Sequence, residues 1–305
     1  MKKFLRIATR KSPLALAQAK IVKEMLERAN DFDAVSLIPM STTGDIASTE
    51  VFKRQGGKGL FLKELEQALL KNNADIAVHS LKDVPAKLDK RFGLLTIDER
   101  ADPSDVFVSE KFKSLNDLPS GSVLGTSSPR RIALLKASAK NIKIKEIRGN
   151  IQTRMNRLKT DDLDGVILAA AGILRMSLTN RITERLSAEK FIPSAGQGVL
   201  CIEYLKKNTS LAKALSKHVN NNTQLCADAE RSFIGRINGD CMSPIGVNAK
   251  INNDKVVINA IVSDCQGENF IKLKFIDEKR SAKEAGKKLA DIFLKQGAKK
   301  LLRTN

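Results

Sequence analysis

Short apolar runs alternate with amphipathic segments along the first two thirds of the 305-residue chain. A short apolar run predicts a buried strand and an amphipathic segment predicts a helix, so the alternation indicates an α/β fold with parallel sheets. The predicted strands are 4–8, 35–40, 75–79, 106–109, 122–126, 142–147, 165–170 and 199–204. The predicted helices are 13–28, 60–71, 129–139, 150–159 and 178–188, with one more after the last strand.

Two breaks and a change of element order divide the chain into domains. Asp102-Pro103-Ser104 ends the first series, and the Pro- and Gly-rich residues 191–198 end the second. The remainder is typical of an α+β unit, with a helix at 224–237, strands at 245–251, 255–262 and 269–276, and a helix at 280–296. The predicted domains are 1–98 with 199–217, then 99–198, then 218–305. The first two are expected to be α/β lobes flanking a cleft.

Three joints share one design, in which an apolar run ends in a hydroxyl or amide residue, arginines lie nearby and a helix begins. The joints are residues 5–13, 123–131 and 144–150. Ser12 and Ser128 are predicted N-caps because proline follows each of them, and Asn150 can cap the third helix. Helix starts attract anions, and arginine binds carboxylate or phosphate through two parallel bonds. The joints therefore predict a site for a substrate with several negative charges.

The net charge of +19 has two explanations, nucleic-acid binding or general surface lysine. The basic residues are spread along the chain, and with no Trp and one Tyr there is little to stack on bases. No apolar run approaches the roughly 20 residues of a membrane span. Arg6, Arg10 and Lys11 interrupt any signal-peptide core. We therefore expect a cytoplasmic protein that binds neither nucleic acid nor membranes, and nothing in the chain demands a second copy.

Asp83 and Cys241 are the candidates for chemistry. Asp83 follows a buried strand as a lone carboxylate among Lys82 and the joint arginines, so it is either a turn residue or the group that stabilises a cation formed during reaction. Cys241 lies in a Gly-bounded loop, where it could be a nucleophile or, more plausibly, the attachment point of a permanently bonded group. The wide spacing of the four cysteines predicts neither a metal site nor disulfides. His79 is expected in the core.

Four further residues have two interpretations each. Residues 56–61 fail the phosphate-loop pattern and predict instead a mobile glycine-rich lid that carries Lys58. Arg154 and Arg157 are three apart on one helix, so one could face the cleft while the other is solvated. Arg175 comes just past a predicted strand end, which favours a site role over a surface one.

Six motifs, in this order, closely resemble those of the porphobilinogen deaminase family. They are residues 6–19, 56–61, 77–85, 125–131, 148–150 and 196–198. The resemblance runs from residue 5 to the C-terminal helix, and it implies two domains built like periplasmic binding proteins plus a small third one. It also implies a transferase of haem biosynthesis that joins four porphobilinogens head to tail with loss of ammonia, on a dipyrromethane cofactor held by a thioether to Cys241.

The resemblance also assigns roles to individual residues. Asp83 matches the catalytic aspartate, which bonds pyrrole N–H groups and stabilises the cation left when ammonia departs, and Lys58 falls in the mobile loop. The positions that match cofactor binding are Lys82, Asp83, Thr126, Ser128, Arg130, Arg131 and Cys241. The positions that match substrate binding are Arg10, Ser12, Arg148, Arg154, Arg175 and Gln197.

Two positions depart from the family's common pattern. Pro129 stands where Leu is common, and proline at a first helical position should leave the aim of the neighbouring arginines unchanged. Asp240 stands where Gly is frequent and adds a negative charge beside the thiol. A binding protein without catalysis is the rival hypothesis, and a nucleic-acid protein is a more distant one.

Overall fold

The computed structural model describes residues 4–46, 61–138, 141–240 and 242–303. The described residues form two compact units, one comprising those up to Arg100 together with Val199–Gln224, the other comprising Ala101–Gly198 together with those from Leu225 onward. The chain thus leaves the first unit after Arg100, returns to it at Val199 and leaves it again after Gln224, so each unit is discontinuous in sequence.

The elements are as follows in chain order. The strands are β1 (Phe4–Arg10), β2 (Ala34–Met40), β3 (Ile76–Ser80), β4 (Phe92–Ile97), β5 (Asp105–Val108), β6 (Val123–Gly125), β7 (Lys143–Lys145), β8 (Gly165–Ala169), β9 (Glu184–Leu186), β10 (Leu200–Leu205), β11 (Ile245–Asn252), β12 (Lys255–Ser263) and β13 (Phe270–Glu278). The helices are α1 (Pro13–Arg28), α2 (Thr43–Ile46), α3 (Lys63–Leu70), α4 (Pro129–Ser138), α5 (Ile151–Thr160), α6 (Ala170–Arg175), α7 (Thr209–Ser216), α8 (Asn221–Ile237), α9 (Ala282–Lys295) and α10 (Ala298–Leu301).

The first unit is a five-stranded sheet in the order β2-β1-β3-β10-β4 with helices on both faces. Side chains of β1 alternate between the faces, as the period of a strand requires. Ile7 packs with α1 residues such as Val22 on one face. Ala8 packs with α3 residues such as Leu65 on the other face. The returning strand β10 lies between β3 and β4.

The second unit contains a five-stranded sheet in the order β7-β6-β8-β5-β9. Helix α5 covers one face, where Leu158 packs with Val106 and Val166. Helix α4 covers the other face, where Leu135 packs with Phe107. Like the first sheet, this one is covered on both faces, which explains why its three inner strands, β6, β8 and β5, are mostly apolar.

Both sheets are mixed, whereas the apolar runs predict parallel ones. Strand β10 pairs antiparallel with β3 and β4, and β5 pairs antiparallel with β8 and β9. A strand buried on both faces has the same apolar sequence in either direction, so the pattern alone does not indicate which way it runs. Strand β4 is also absent from the predicted elements, although Phe92 and Ile97 are buried.

The helix predicted near 178–188 is wrong. The segment forms a 3₁₀ turn at Thr179–Arg181 and then β9, which pairs with β5 at the edge of the sheet. Its side chains alternate with a period of two, because Glu184 is half-buried, Arg185 is exposed and Leu186 is buried. Pairing with β5 overrides the helical propensity of the segment.

The rest of the second unit is a three-stranded antiparallel sheet, β11-β12-β13, packed against α8 and α9. The ring of Phe233 on α8 meets that of Phe293 on α9 edge to face, with centroids 5.2 Å apart. The fold class predicted from the sequence, two α/β domains and a small C-terminal α+β domain, is confirmed. No helix of the described residues is long and apolar enough to cross a membrane.

Helices α8 and α9 approach closely at Gly286. A Cβ atom built at this position would lie 2.0 Å from the Ala229 carbonyl oxygen and 2.8 Å from its carbonyl carbon. Both are backbone atoms of α8, so the clash is relieved only if the two helices separate. The glycine is therefore required by packing, although it weakens the helix that contains it.

We predict that Gly286→Ala destabilises the chain by about 1–3 kcal/mol, because the added methyl overpacks the contact between α8 and α9. Urea unfolding monitored by circular dichroism measures the change. The control is Lys287→Ala, which places the same methyl at the next helical position, where the native side chain is partly exposed. Equal stability of the two variants would contradict the packing argument.

Candidate functional site

The carboxyl ends of β1 and β3 meet at one edge of the first sheet, because these strands are parallel neighbours. A 2.8 Å hydrogen bond from Gln18 Nε2 to Ser80 Oγ joins α1 to the end of β3 at this edge. The Ser12 side chain caps α1 by accepting a hydrogen bond from the Ala15 N–H, as predicted. The predicted site residues that the structure brings to this edge are Arg10, Ser12, Lys82 and Asp83.

Asp83 ends a short 3₁₀ turn, Leu81–Asp83, that follows β3 directly. Leu81 is buried and anchors the turn, and its backbone N–H donates to the Val199 carbonyl at 2.9 Å. Lys82 is half-buried, while the Asp83 side chain is exposed to solvent. The turn thus holds a solvent-facing carboxylate on a fixed backbone at the end of a buried strand.

Arg10 already pairs with a carboxylate in the first unit. Its guanidinium group binds Asp45 through two nitrogens and lies over the ring of Phe61, 3.9 Å from the centroid. Thr42 donates to the same carboxylate through its Oγ1 at 2.7 Å. Burial raises the pKa of Asp45, but the hydrogen bonds from Arg10 and Thr42 outweigh burial and hold that pKa below its usual value.

In the second unit, strands β6, β7 and β8 are parallel, so the segments that follow them meet at one edge of that sheet. Asn150 caps α5, as predicted, by accepting a hydrogen bond from the Thr153 N–H at 2.8 Å. The Ser128 carbonyl accepts from Ile132 N at 2.9 Å, so α4 begins at the predicted joint. The predicted site residues at this edge are Thr126, Ser128, Arg130, Arg131, Arg148, Arg154 and Arg175.

Arg154 and Arg157 have different surroundings. Arg154 is half-buried, and its Nε donates to the Gly149 carbonyl at 2.9 Å, close to the start of α5. Arg157 is exposed and pairs with Asp161 one helical turn away. Of the two arginines, Arg154 is therefore the one that lies next to residues 144–150, the predicted third anion-binding segment.

Arg175 is the last residue of α6 and does not directly follow a strand end as predicted. Its Nη2 donates to the Gly198 carbonyl at 2.8 Å. This bond connects α6 to the glycine-rich segment 196–198, at the end of which the chain returns to the first unit.

Arg130 and Arg131 are both buried and share one carboxylate. Arg131 donates to Asp105 Oδ1 through Nη2 at 2.7 Å and Nε at 3.1 Å. Arg130 Nη1 lies 2.7 Å from Asp105 Oδ2. Burial alone would raise the pKa of Asp105, but the two positive charges hold it well below its usual range. Gln197, which is also buried, donates to Asp105 Oδ1 at 3.0 Å.

Neither of these two carboxylates, Asp45 and Asp105, is predicted from the sequence, and the prediction that Asp83 is a lone acid among arginines is therefore wrong. Asp105 is the first residue of β5 and lies opposite Ala169, the last residue of β8, so it shares the edge where the arginines lie. A signal for it was present, because an acid that begins the apolar strand Val106-Phe107-Val108 needs a buried partner. Asp45 has no comparable signal, because it lies in a polar segment.

Lys58 and Cys241 lie outside the described residues. Next to Cys241, the carboxylate of Asp240 accepts hydrogen bonds from Met242 N at 3.0 Å and Ser243 Oγ at 2.9 Å. Asp240 therefore bonds to two residues on the other side of Cys241 in sequence, which a glycine at this position could not do through a side chain.

Each unit thus has an α/β sheet with arginine–carboxylate pairs near the carboxyl ends of its parallel strands. The family model described as porphobilinogen deaminase, dipyromethane cofactor binding domain, matches residues 5–213, and that of the C-terminal domain of porphobilinogen deaminase matches residues 224–295. The chain belongs to the porphobilinogen deaminase family. It makes hydroxymethylbilane from porphobilinogen, using a dipyrromethane cofactor, in tetrapyrrole biosynthesis.

Solved structures of binding proteins are weakly similar. A putative methionine-binding lipoprotein from Bacillus subtilis is 15% identical with a TM-score of 0.43, over 70% of this chain and 89% of that one. A nutrient binding protein from Burkholderia cenocepacia bound to methionine is 16% identical with a TM-score of 0.42, over 70% and 90%. The VFT2 domain of Bordetella pertussis BvgS is 15% identical with a TM-score of 0.44, over 70% and 86%. At such TM-scores these similarities carry no inference about the ligand.

A second group of titratable side chains lies in the first unit, on β3, β10 and α3. His79 is buried on β3, and its Nε2 lies 3.0 Å from Oε2 of Glu203, which has no exposed surface. Glu66 on α3 is close to Glu203. Burial, together with the charge and a hydrogen bond of Glu203, raises the pKa of Glu66 to about 7. The neighbouring histidine opposes this shift and Asp89 adds to it.

Glu66 should make the stability of the chain depend on pH. Its pKa in the folded chain exceeds its ordinary value of 4.5, so between these values the folded chain holds a proton that the unfolded chain has released. Stability is therefore lost as the pH rises through about 7. We predict that Glu66→Gln raises the melting temperature relative to wild type at pH 8 more than at pH 5, measured by calorimetry.

The control is Glu24→Gln, which changes an exposed glutamate of α1 in the same unit. This variant should follow the wild-type pH dependence. If Glu66→Gln does so as well, Glu66 is already ionised at neutral pH.

Proposed function

We propose that the two units contribute different groups to the joining of porphobilinogens. The first unit contributes Asp83 for the chemical step and Arg10, Ser12 and Lys82 for binding. The second contributes the carboxylate-binding residues Thr126, Ser128, Arg130, Arg131, Arg148, Arg154, Arg175 and Gln197. The observation that carries this division is that each set lies at the carboxyl edge of its own sheet, where ligands of α/β proteins bind.

The residues of the second unit fit a group with acidic arms. Arg130 and Arg131 bring two positive charges into a buried environment, and among the described residues Asp105 is the one acid they pair with. Arg130 Nε is buried and has no hydrogen-bond partner among the described residues. A carboxylate arm of the dipyrromethane would balance the remaining charge and could accept from such a donor.

Asp83 would act on charge that develops during reaction. When bound, the dipyrromethane supplies the free pyrrole carbon to which the first substrate is joined. Departure of ammonia breaks a C–N bond of porphobilinogen and leaves a cation, the free pyrrole carbon forms a C–C bond to that cation, and this attacking carbon then loses its proton. A solvent-facing carboxylate on a fixed turn is suited to accept pyrrole N–H bonds and stabilise that cation.

Cys241 is the proposed attachment point, through a thioether, and Lys58 is the proposed lid residue. The match to a family with a dipyrromethane cofactor supports this role, since Cys241 is the position that resembles the family's attachment cysteine. The domain boundaries inferred from the sequence remain part of the proposal.

We further propose a monomer that acts in the cytoplasm and binds no nucleic acid. The guanidinium groups of Arg10, Arg131, Arg154 and Arg175 contact carboxylates or backbone carbonyls, which favours a small acidic ligand over a phosphate backbone.

The proposed attachment predicts a covalent addition of two pyrrole units on the purified wild-type chain. Cys241→Ser should lack the addition, because the hydroxyl cannot form the thioether. Intact-mass spectrometry measures both. Cys265→Ser, which changes a cysteine that is partly buried elsewhere, should retain the addition. An active wild-type chain of unmodified mass would contradict the attachment.

For Asp83→Asn we predict that kcat falls by at least about 100-fold while the chain folds and carries the cofactor, because the charge acts on the transition state. Steady-state assays of hydroxymethylbilane formation measure the change. Asp89→Asn, which alters an exposed acid paired with Arg91, should keep wild-type turnover. Near-normal turnover of Asp83→Asn would show that Asp83 is only a turn residue.

A further inference from the structure

Asp105 contacts three of the side chains proposed to bind ligand. It has no exposed surface, and its Oδ1 accepts from Arg131 Nε, Arg131 Nη2 and Gln197 Nε2 at 3.1, 2.7 and 3.0 Å. Its Oδ2 lies 2.7 Å from Arg130 Nη1. One buried carboxylate therefore connects α4 to the segment that precedes the return to the first unit.

Each guanidinium group is also held at a second point. Arg131 Nη1 donates to the Ile167 carbonyl, and Arg130 Nη1 donates to the Ile192 carbonyl, each at 2.9 Å. Two fixed acceptors determine the plane of a guanidinium group. An arginine held in this way has already lost its rotamer freedom before a ligand arrives, so less entropy is lost on binding.

The charge of this group of residues is also set by Asp105. Two guanidinium groups and one carboxylate leave a net charge of +1, and no second acid among the described residues pairs with them. That charge matches one carboxylate arm. Without Asp105, two like charges would be buried a short distance apart, which is strongly unfavourable.

We propose that Asp105 is a positioning residue, which orients Arg130, Arg131 and Gln197 and adjusts their combined charge to accept a single carboxylate of the bound pyrrole chain. The inference rests on the proposed role of these residues in binding. Asp105 itself touches neither substrate nor cofactor in this account and acts through the arginines.

The test compares Asp105→Asn, which removes the charge at nearly constant shape, with Asp105→Glu, which keeps the charge and displaces it by one methylene. Asp161→Asn is the control, because Asp161 is an ion-paired acid of the same unit on α5's far end. Cofactor loading is measured by intact mass, and kcat and KM are measured on the loaded chain.

Both Asp105 variants should lose about 10–100-fold in kcat/KM, mainly through KM, because the arginines are misaligned. Asp105→Asn should also carry the cofactor on a smaller fraction of chains. Asp161→Asn should match wild type in both measurements.

A second measurement separates positioning from simple loss of stability. In the Cys241→Ser background, which cannot form the thioether, melting temperatures are compared in sodium formate and in sodium chloride at equal concentration. Formate should recover more of the melting temperature lost in Asp105→Asn than chloride does, because it supplies the missing carboxylate. The chain that retains Asp105 should gain less from formate over chloride than Asp105→Asn does, because it lacks only the ligand carboxylate whereas the variant lacks two carboxylates.

Normal loading and KM in Asp105→Asn would overturn the proposal, as would a melting defect that formate and chloride change equally. If Asp105→Asn does not fold, Asp105→Glu decides, and a wild-type KM in that variant overturns the proposal. Failure of the proposed function has a different signature, which is the absence of the two-pyrrole addition on the wild-type chain.

Discussion

The buried pairing of Asp105 with Arg130 and Arg131 is the interaction on which the second unit's site depends. Charged groups enter a protein interior only when they are paired and hydrogen-bonded. Here the pairing lets the first turn of α4 pack against the sheet with two guanidinium groups buried beside one carboxylate. Glu230 is a second buried carboxylate nearby, and it binds the backbone N–H groups of Gly196 and Ala249. Two buried carboxylates thus bind the segment 196–198. Asp105 accepts from the side chain of Gln197, and Glu230 accepts from the backbone N–H of Gly196.

The first unit uses the same chemistry at a more accessible position. The side chains of Arg10 and Asp45 keep 23% and 25% of their exposure, so this pair meets solvent whereas the Asp105 pairs do not. Asp83 lies at the same edge on a turn whose backbone is anchored by Leu81. A reaction that generates positive charge beside many acidic arms needs this separation between arginines that bind carboxylates and an acid that remains available.

Local signals predicted much of the architecture. Helix α1 has the predicted bounds, Pro13–Arg28, because Ser12 and the following proline mark its start unambiguously. The 178–188 segment was mispredicted because its partner strand β5 lies about eighty residues away in sequence. Asp45 and Asp105 were missed for the same reason, since each acquires its arginine only through folding. The motifs that resemble the family identified candidate residues, but the identity of their counter-ions is a property of the tertiary structure.

We propose that Asp105 fixes the orientation of Arg130 and Arg131 before a ligand binds, and that a ligand carboxylate then balances their remaining positive charge. A crystal structure of the cofactor-loaded chain tests this most directly. The account predicts that Asp105 stays hydrogen-bonded to Arg131 and that a dipyrromethane carboxylate lies within hydrogen-bond distance of Arg130 or Arg131. Cofactor carboxylates bound elsewhere, with both arginines still engaged only by Asp105 and backbone carbonyls, would contradict it.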